Sequence, residues 1–181
     1  MHKRGVIWVA AVLYIAIGMV VLGLILAAAL PAIGKLKDRN VYAQTKELFF
    51  VIDKNIRQVV VEGVASQREL NPLTITKGAL SIDEDNIQWS MKTEAMIVEP
   101  SPADDRIIKK EGNVEIWQEK TAVKGEYALH LDIYYPQDTG QIRLLLDPAG
   151  VGMPLQGTYS VLIKNAGVAA TGKIDVNILV Q

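Results

Sequence analysis

From Val6 to Gly34 the chain runs for 29 residues without one Asp, Glu, Lys, Arg, His, Asn or Gln. In helical form such a run is about 43 Å long, against a bilayer hydrocarbon core of about 30 Å. A helix of a soluble core keeps a polar face, and this one has none. The stretch from Val6 to about Leu30 therefore predicts a membrane-inserted helix. Pro31 lacks a backbone donor and predicts a kink at the far end of the run. Beyond Gly34 the pattern becomes one-sided. Tyr42, Phe49, Ile52, Ile56, Val59 and Val60 recur at helical spacing, with Leu48 and Phe50 widening the stripe. Lys46, Glu47, Asp53, Lys54, Arg57 and Glu62 form the expected solvated set. Gly63, then Ser66 to Pro72, are expected to end the helix.

After Pro72 the period falls to two. Leu73 and Ile75 precede an expected turn at Lys77-Gly78. Leu80 and Ile82 lead to a polar tip, Asp83 to Asn86, and Ile87, Trp89 and Met91 run back from it as a β-hairpin. Further strands are expected at 95–99, 114–119, 126–135, 142–147, 157–164 and 173–180. Turn residues separate them at 100–105, 111–113, 124–125, 136–140, 147–150 and 165–167. The last strand is the clearest, with Ile174, Val176, Ile178 and Val180 on one face and Asp175 and Asn177 on the other. The fold class is therefore α+β. A long hydrophobic-then-amphipathic helix precedes an antiparallel β-sandwich, or a strongly curved antiparallel sheet. The segment around Tyr159 resembles the tyrosine corner of immunoglobulin-like sandwiches.

Composition changes this picture little, because the apolar residues crowd one end. With no cysteine, disulfides and cysteine-ligated metals are excluded. Residues 1–5 carry +2, residues 35–64 carry +2 and residues 65–181 carry −5, with no basic stripe. Nucleic acid is not expected as a partner, since phosphate binding needs clustered Lys and Arg.

The chemistry of an enzyme is not visible. His2 and His130 are the only histidines, and His130 alternates with Leu129, Leu131 and Ile133 as a surface strand residue would. There is no phosphate loop, no zinc-spaced His-Glu pair and no nucleophile elbow. Asp83 to Asn86 lacks the ligand spacing and distal Glu of a calcium loop, so it reads as a solvated tip. Asp104-Asp105 reads as an exposed loop. Trp89 and Trp117 read as core residues. No catalytic residue, cofactor or metal is expected.

The amino terminus admits three readings. A cleaved secretory signal has a shorter apolar stretch, of about 7–15 residues. A signal anchor fits the length and keeps the helix. A prepilin-type leader places a few basic residues and a Gly before a helix that stays on the mature chain. The flanking charges, Lys3 and Arg4 against Lys35, Lys37 and Arg39, do not decide orientation. The short amino-terminal stub and the β-rich part downstream favour an inside amino terminus and an outside head.

Lys3-Arg4-Gly5 set directly against the uncharged helix, followed by an amphipathic extension and a β-rich head, resembles a type IV pilin-like subunit. The likeness is to the archaeal branch of adhesion pilins and archaellins, and its sequence pattern covers residues 3 to about 61. It implies a class III signal peptide, a leader at 1–5 with cleavage between Gly5 and Val6. It implies a helical stalk at 6–64, with a membrane or filament-core part at 6–30 and an amphipathic extension at 35–64. An extracellular β-sandwich head, immunoglobulin-like or pilin-like, would occupy 73–181. The Glu that bacterial pilins carry five residues into the mature helix is replaced by Ala10.

The implied partners are a prepilin-type peptidase, assembly machinery, the membrane before assembly, and copies of the chain in a homopolymeric surface filament. Helix packing would use Gly18, Gly23 and Ala27, small residues that allow close approach where lipid already satisfies apolar surface. The alternative is a permanently anchored single-pass protein displaying a β-sandwich binding domain outside the cell.

Overall fold

A computed structural model describes residues 3–100, 108–135, 142–146 and 154–181, with side chains from residue 8 onward. Helix α1 spans Lys3–Glu62, and eight strands follow. They are β1 (Gln67–Ile82), β2 (Asn86–Thr93), β3 (Lys109–Glu111), β4 (Val114–Lys120), β5 (Tyr127–Tyr134), β6 (Ile142–Leu146), β7 (Leu155–Val168) and β8 (Ile174–Val180). Helical structure passes through Pro31 without a break. Two compact units divide the chain, Met1–Lys37 and Asp38–Gln181. The second unit, the head, thus contains the amphipathic half of α1.

All eight strands form one sheet in the order β3-β4-β5-β2-β1-β7-β8-β6, antiparallel except for the parallel β6–β8 pair. Of the two arrangements expected from strand spacing, this is the single antiparallel sheet and not the two-sheet sandwich. β1 and β7 are 16 and 14 residues long, so their ladder joins both halves of the sheet. The amphipathic part of α1 supplies the second layer. Phe49, Ile52, Ile56 and Val59 are at most 3 % exposed and share one cluster with Leu73, Trp89, Leu131, Ile163 and Val176. Burying those four helix side chains contributes about 6–12 kcal/mol. The sheet also curls. The amide of Leu144 in β6 donates to the Glu84 carbonyl, and that of Tyr135 to Asp85, so the β1–β2 tip meets the far edge strand and the end of β5.

The hairpin around Asp83–Asn86 forms in the expected register, with Leu80 opposite Trp89 and Ile82 opposite Ile87. Five other features differ, the first being the expected turn at 165–167, which β7 runs through with an irregularity between Asn165 and Gly167. β1 begins at Gln67, where a helix-ending loop is expected, and carries Pro72 at an irregularity between Leu70 and Leu73. Lys77-Gly78 is not a turn; β1 runs through it, with Gly78 at φ +87° inside a second irregularity. Residues 95–99 are not a strand. The side chain of Gln118 binds their backbone instead, accepting from the Ile97 and Val98 amides and donating to the Ala95 carbonyl. Finally, the short edge strand β3 forms without any alternating apolar pattern, paired only with β4. The expected turns at 136–140 and 147–150, and most of the one at 100–105, lie outside the described residues.

Candidate functional site

The amino-terminal unit presents the largest unsatisfied surface. From Trp8 to Leu36, seventeen large apolar side chains are 47–75 % exposed. This helix is long and apolar enough to cross a membrane. Transferring such side chains out of water is worth about 1.5–3 kcal/mol each, so the unit needs lipid or protein around it. Gly18 and Gly23 have open space where a Cβ would stand, and Ala27 and Pro31 are exposed. No partner helix within the chain covers them among the described residues. Lys3, Arg4, Gly5 and Val6 lie in the first turns of α1, and their side chains are outside the described set.

In the head, the helix is fastened to the sheet by polar groups set into its buried stripe. Asp38 is 9 % exposed and accepts from Lys77 Nζ at 2.6 Å and Thr93 Oγ1 at 2.7 Å. Asp53, placed by its charge in the solvated set, is instead buried. Its carboxylate accepts from the Tyr135 hydroxyl at 2.8 Å, Asn113 Nδ2 at 2.8 Å and Arg57 Nε at 3.0 Å. Burial first, then the adjacent Asp53 charge, pushes the Tyr135 phenol far above its ordinary range. Lys46, also expected to be solvated, donates to Glu111 Oε2 at 2.8 Å and ties the helix to β3. That bond raises the lysine's pKa, and Lys109 with Lys46 holds the Glu111 carboxyl below its usual value.

The end of the helix is capped from two sides. Gly63, at φ +96°, leaves the helical conformation as a C′ glycine does. The Val59 carbonyl then accepts from both Ser66 Oγ at 2.7 Å and Asn165 Nδ2 at 2.9 Å. Asn165 comes from the irregularity in β7, and it also exchanges backbone bonds with Ala65 and Ser66.

His130 is not the surface residue its alternation suggests. Its ring stacks on Trp117 at 3.8 Å and 5°, while Trp117 Nε1 donates to Asp132 Oδ2 at 2.7 Å. Leu129, Leu131 and Ile133 face the core from the same strand, as expected. Trp89 is fully buried, with its indole donating to the Lys77 carbonyl. The Tyr159 hydroxyl donates to the Gln156 carbonyl at 2.8 Å, the backward reach of a tyrosine corner, made here within β7 of a single sheet. The Asp83–Asn86 tip is closed by its own Asp83 amide to Asn86 carbonyl bond. Asp104-Asp105 lies outside the described residues. Among the described residues no group of three or more His, Asp or Glu is placed to hold a metal ion.

Neither a protein-family model nor a curated protein nor a solved structure matches this chain.

Asp38, Asp53 and Asn165 are the residues that sequence reasoning missed. For Asp38 a signal exists: Asp38, Thr45, Ile52 and Val59 recur every seven residues, and all four are buried. A polar residue in phase with an apolar stripe predicts a specific buried partner rather than solvent. Asn165, on a strand separated from the helix by 106 residues, leaves no such local trace.

Proposed function

We propose that this chain is the structural subunit of a type IV pilus-like surface filament. The precursor is inserted in the membrane through the Val6–Leu30 helix with the head outside. It is cleaved between Gly5 and Val6, and it polymerises by exchanging lipid for copies of the same helix. One observation carries the reading. A charge-free helical stretch with sixteen exposed large apolar side chains, Trp8 to Ile33, is followed in the same helix by an amphipathic half that docks on an antiparallel sheet. A helical stalk with one apolar half and one amphipathic half suits a filament subunit, which needs one half for the core and one for the head.

The protein's role in this reading is structural and not enzymatic, with the membrane, a prepilin-type peptidase and neighbouring subunits as partners. Mass spectrometry of the protein from its native cell tests it. A mature chain beginning at Val6 is expected, and Gly5→Leu should leave uncleaved precursor and abolish filaments. An intact amino terminus, or a cut near Ala29, refutes the reading. An intact terminus would return the chain to a permanently anchored protein displaying its β domain.

A further inference from the structure

The amino-terminal end of the head lies close along the chain to the apolar run. Asp38 is its first residue, and only Lys35, Leu36 and Lys37 separate it from Gly34, where the apolar run stops. Four residue steps reach at most about 14 Å, whatever the orientation of the two units. Asp38 itself is buried and neutralised by Lys77, which leaves exposed Lys35, Lys37 and Arg39 as the charges of that stretch.

The sheet register identifies what else lies at this end. Thr93, which binds Asp38, stands opposite Tyr127, and Tyr127 stands opposite Lys120. At about 4.8 Å per strand, Lys120 lies about 10 Å from Thr93 across the sheet. The 121–126 loop and the segment from Glu94 to Met96 project from the same edge. They carry two exposed apolar side chains, Met96 at 58 % and Val123 at 60 %. Exposed Lys92, Lys120 and Lys124 surround them, with Glu94, Glu119 and Glu126 between. Glu126 is engaged by Lys92 and Thr121, and Glu119 faces His130.

We infer that, before assembly, this end of the head rests on an anionic phospholipid surface, with Val123 and Met96 at headgroup level and Lys120 and Lys124 against lipid phosphates. Isolated apolar tips ringed by long lysines suit the interface, where lysine stems lie along apolar surface and their ammonium groups reach phosphate. The inference rests on the membrane reading of the helix.

The chain contains no cysteine, so single thiols report position cleanly. Full-length protein carrying Val123→Cys is reconstituted in vesicles of phosphatidylcholine, with or without phosphatidylglycerol, and treated with a membrane-impermeant maleimide. Val61→Cys is the control: Val61 is 86 % exposed and lies about 35 Å further along the helix than Asp38. On outward-facing heads, Cys at 123 should react at least about threefold more slowly than Cys at 61 when phosphatidylglycerol is present. High salt, or K120E/K124E in the Val123→Cys background, should remove most of that difference, because surface charge attraction is screened within ~10 Å at 0.1 M salt. Equal rates at 61 and 123 in protein that floats with the vesicles overturn the seating alone. Protein that fails to float overturns the membrane reading and the seating with it.

Discussion

Replacing Asp53 with Ala is expected to be the most damaging single change to the head outside its apolar core. The substitution removes the acceptor of three donors at once. The Tyr135 hydroxyl belongs to a residue only 3 % exposed, so its lost partner is not replaced by water. An unsatisfied buried donor costs about 1–3 kcal/mol, and a hydrogen bond to a charged group is worth about 1.5–3 kcal/mol. The Arg57 side chain is 47 % exposed, so its share of the ion pair is discounted to below about 1 kcal/mol.

The expected loss is therefore about 3–5 kcal/mol, a fall in Tm of about 6–20 °C at ~2–4 °C per kcal/mol. Tyr135→Phe removes the donor instead of the acceptor and should cost about 1–2 kcal/mol. In the double variant the orphaned hydroxyl is gone, so the two losses should fall short of additive by about 1–2 kcal/mol. The assay is denaturation of the full chain in detergent, followed by near-ultraviolet circular dichroism. A coupling below about 0.5 kcal/mol would refute the claim that these two residues share a buried bond. The pH dependence gives a second check with a definite sign. The folded phenol titrates far above the unfolded one, so the native state holds its proton where the unfolded state releases it. Stability is intact below pH ~10 and falls as pH rises beyond it, by up to about 1.4 kcal/mol per pH unit. Tyr135→Phe should lack that slope.

Gly78→Ala should cost several kcal/mol by thermal denaturation, because its Cβ would stand 2.6 Å from both the Ser90 carbonyl and the Trp89 indole nitrogen at a φ of +87°. Asn165→Ala should cost about 1–3 kcal/mol, since it strips a bond from the Val59 carbonyl; hydrogen exchange should accelerate in the last helical turn and leave Asp38–Lys46 unchanged. Ala65 holds a φ of +69°, so Ala65→Gly should stabilise by up to about 1 kcal/mol, and a lower Tm would refute the strain. Glu111→Gln should shift stability by no more than about 0.5 kcal/mol and lose even that in high salt, because Lys46 and Glu111 pair near the surface.

What was legible in the sequence follows from how locally each feature is encoded. The helix needs only its own periodicity, so its change of character and its end beside Gly63 are readable. The hairpin at 82–87 and the last strand alternate cleanly and were placed to within a few residues. Strand β3 has no alternation to read: Lys109, Lys110 and Glu111 form a strand only because β4 offers a free edge. The 95–99 segment has the composition of a strand, yet one distant glutamine takes its backbone bonds. Lys77-Gly78 has the composition of a turn. Its glycine serves instead to let Trp89 close over the strand backbone, a contact defined by residue 89 and not by the neighbours of 78. The choice between a sandwich and a single sheet stays open for a related reason, since strand spacing does not say whether two long strands bridge both halves.

The same distinction explains the division of α1. From Trp8 to Gly34 the side chains are apolar and mostly exposed, so this stretch carries no polar mark of which way the helix turns about its axis. From Asp38 the row of residues every seven positions fixes that rotation, because a buried carboxylate tolerates only one partner geometry whereas leucines slide past one another. Asp38 and Asp53 hold one face of the helix against the sheet at either end of this stretch, through Lys77 and Thr93 at one end and Tyr135 and Asn113 at the other. A buried carboxylate at each of these points therefore fixes the helix on the sheet more specifically than the apolar stripe alone would.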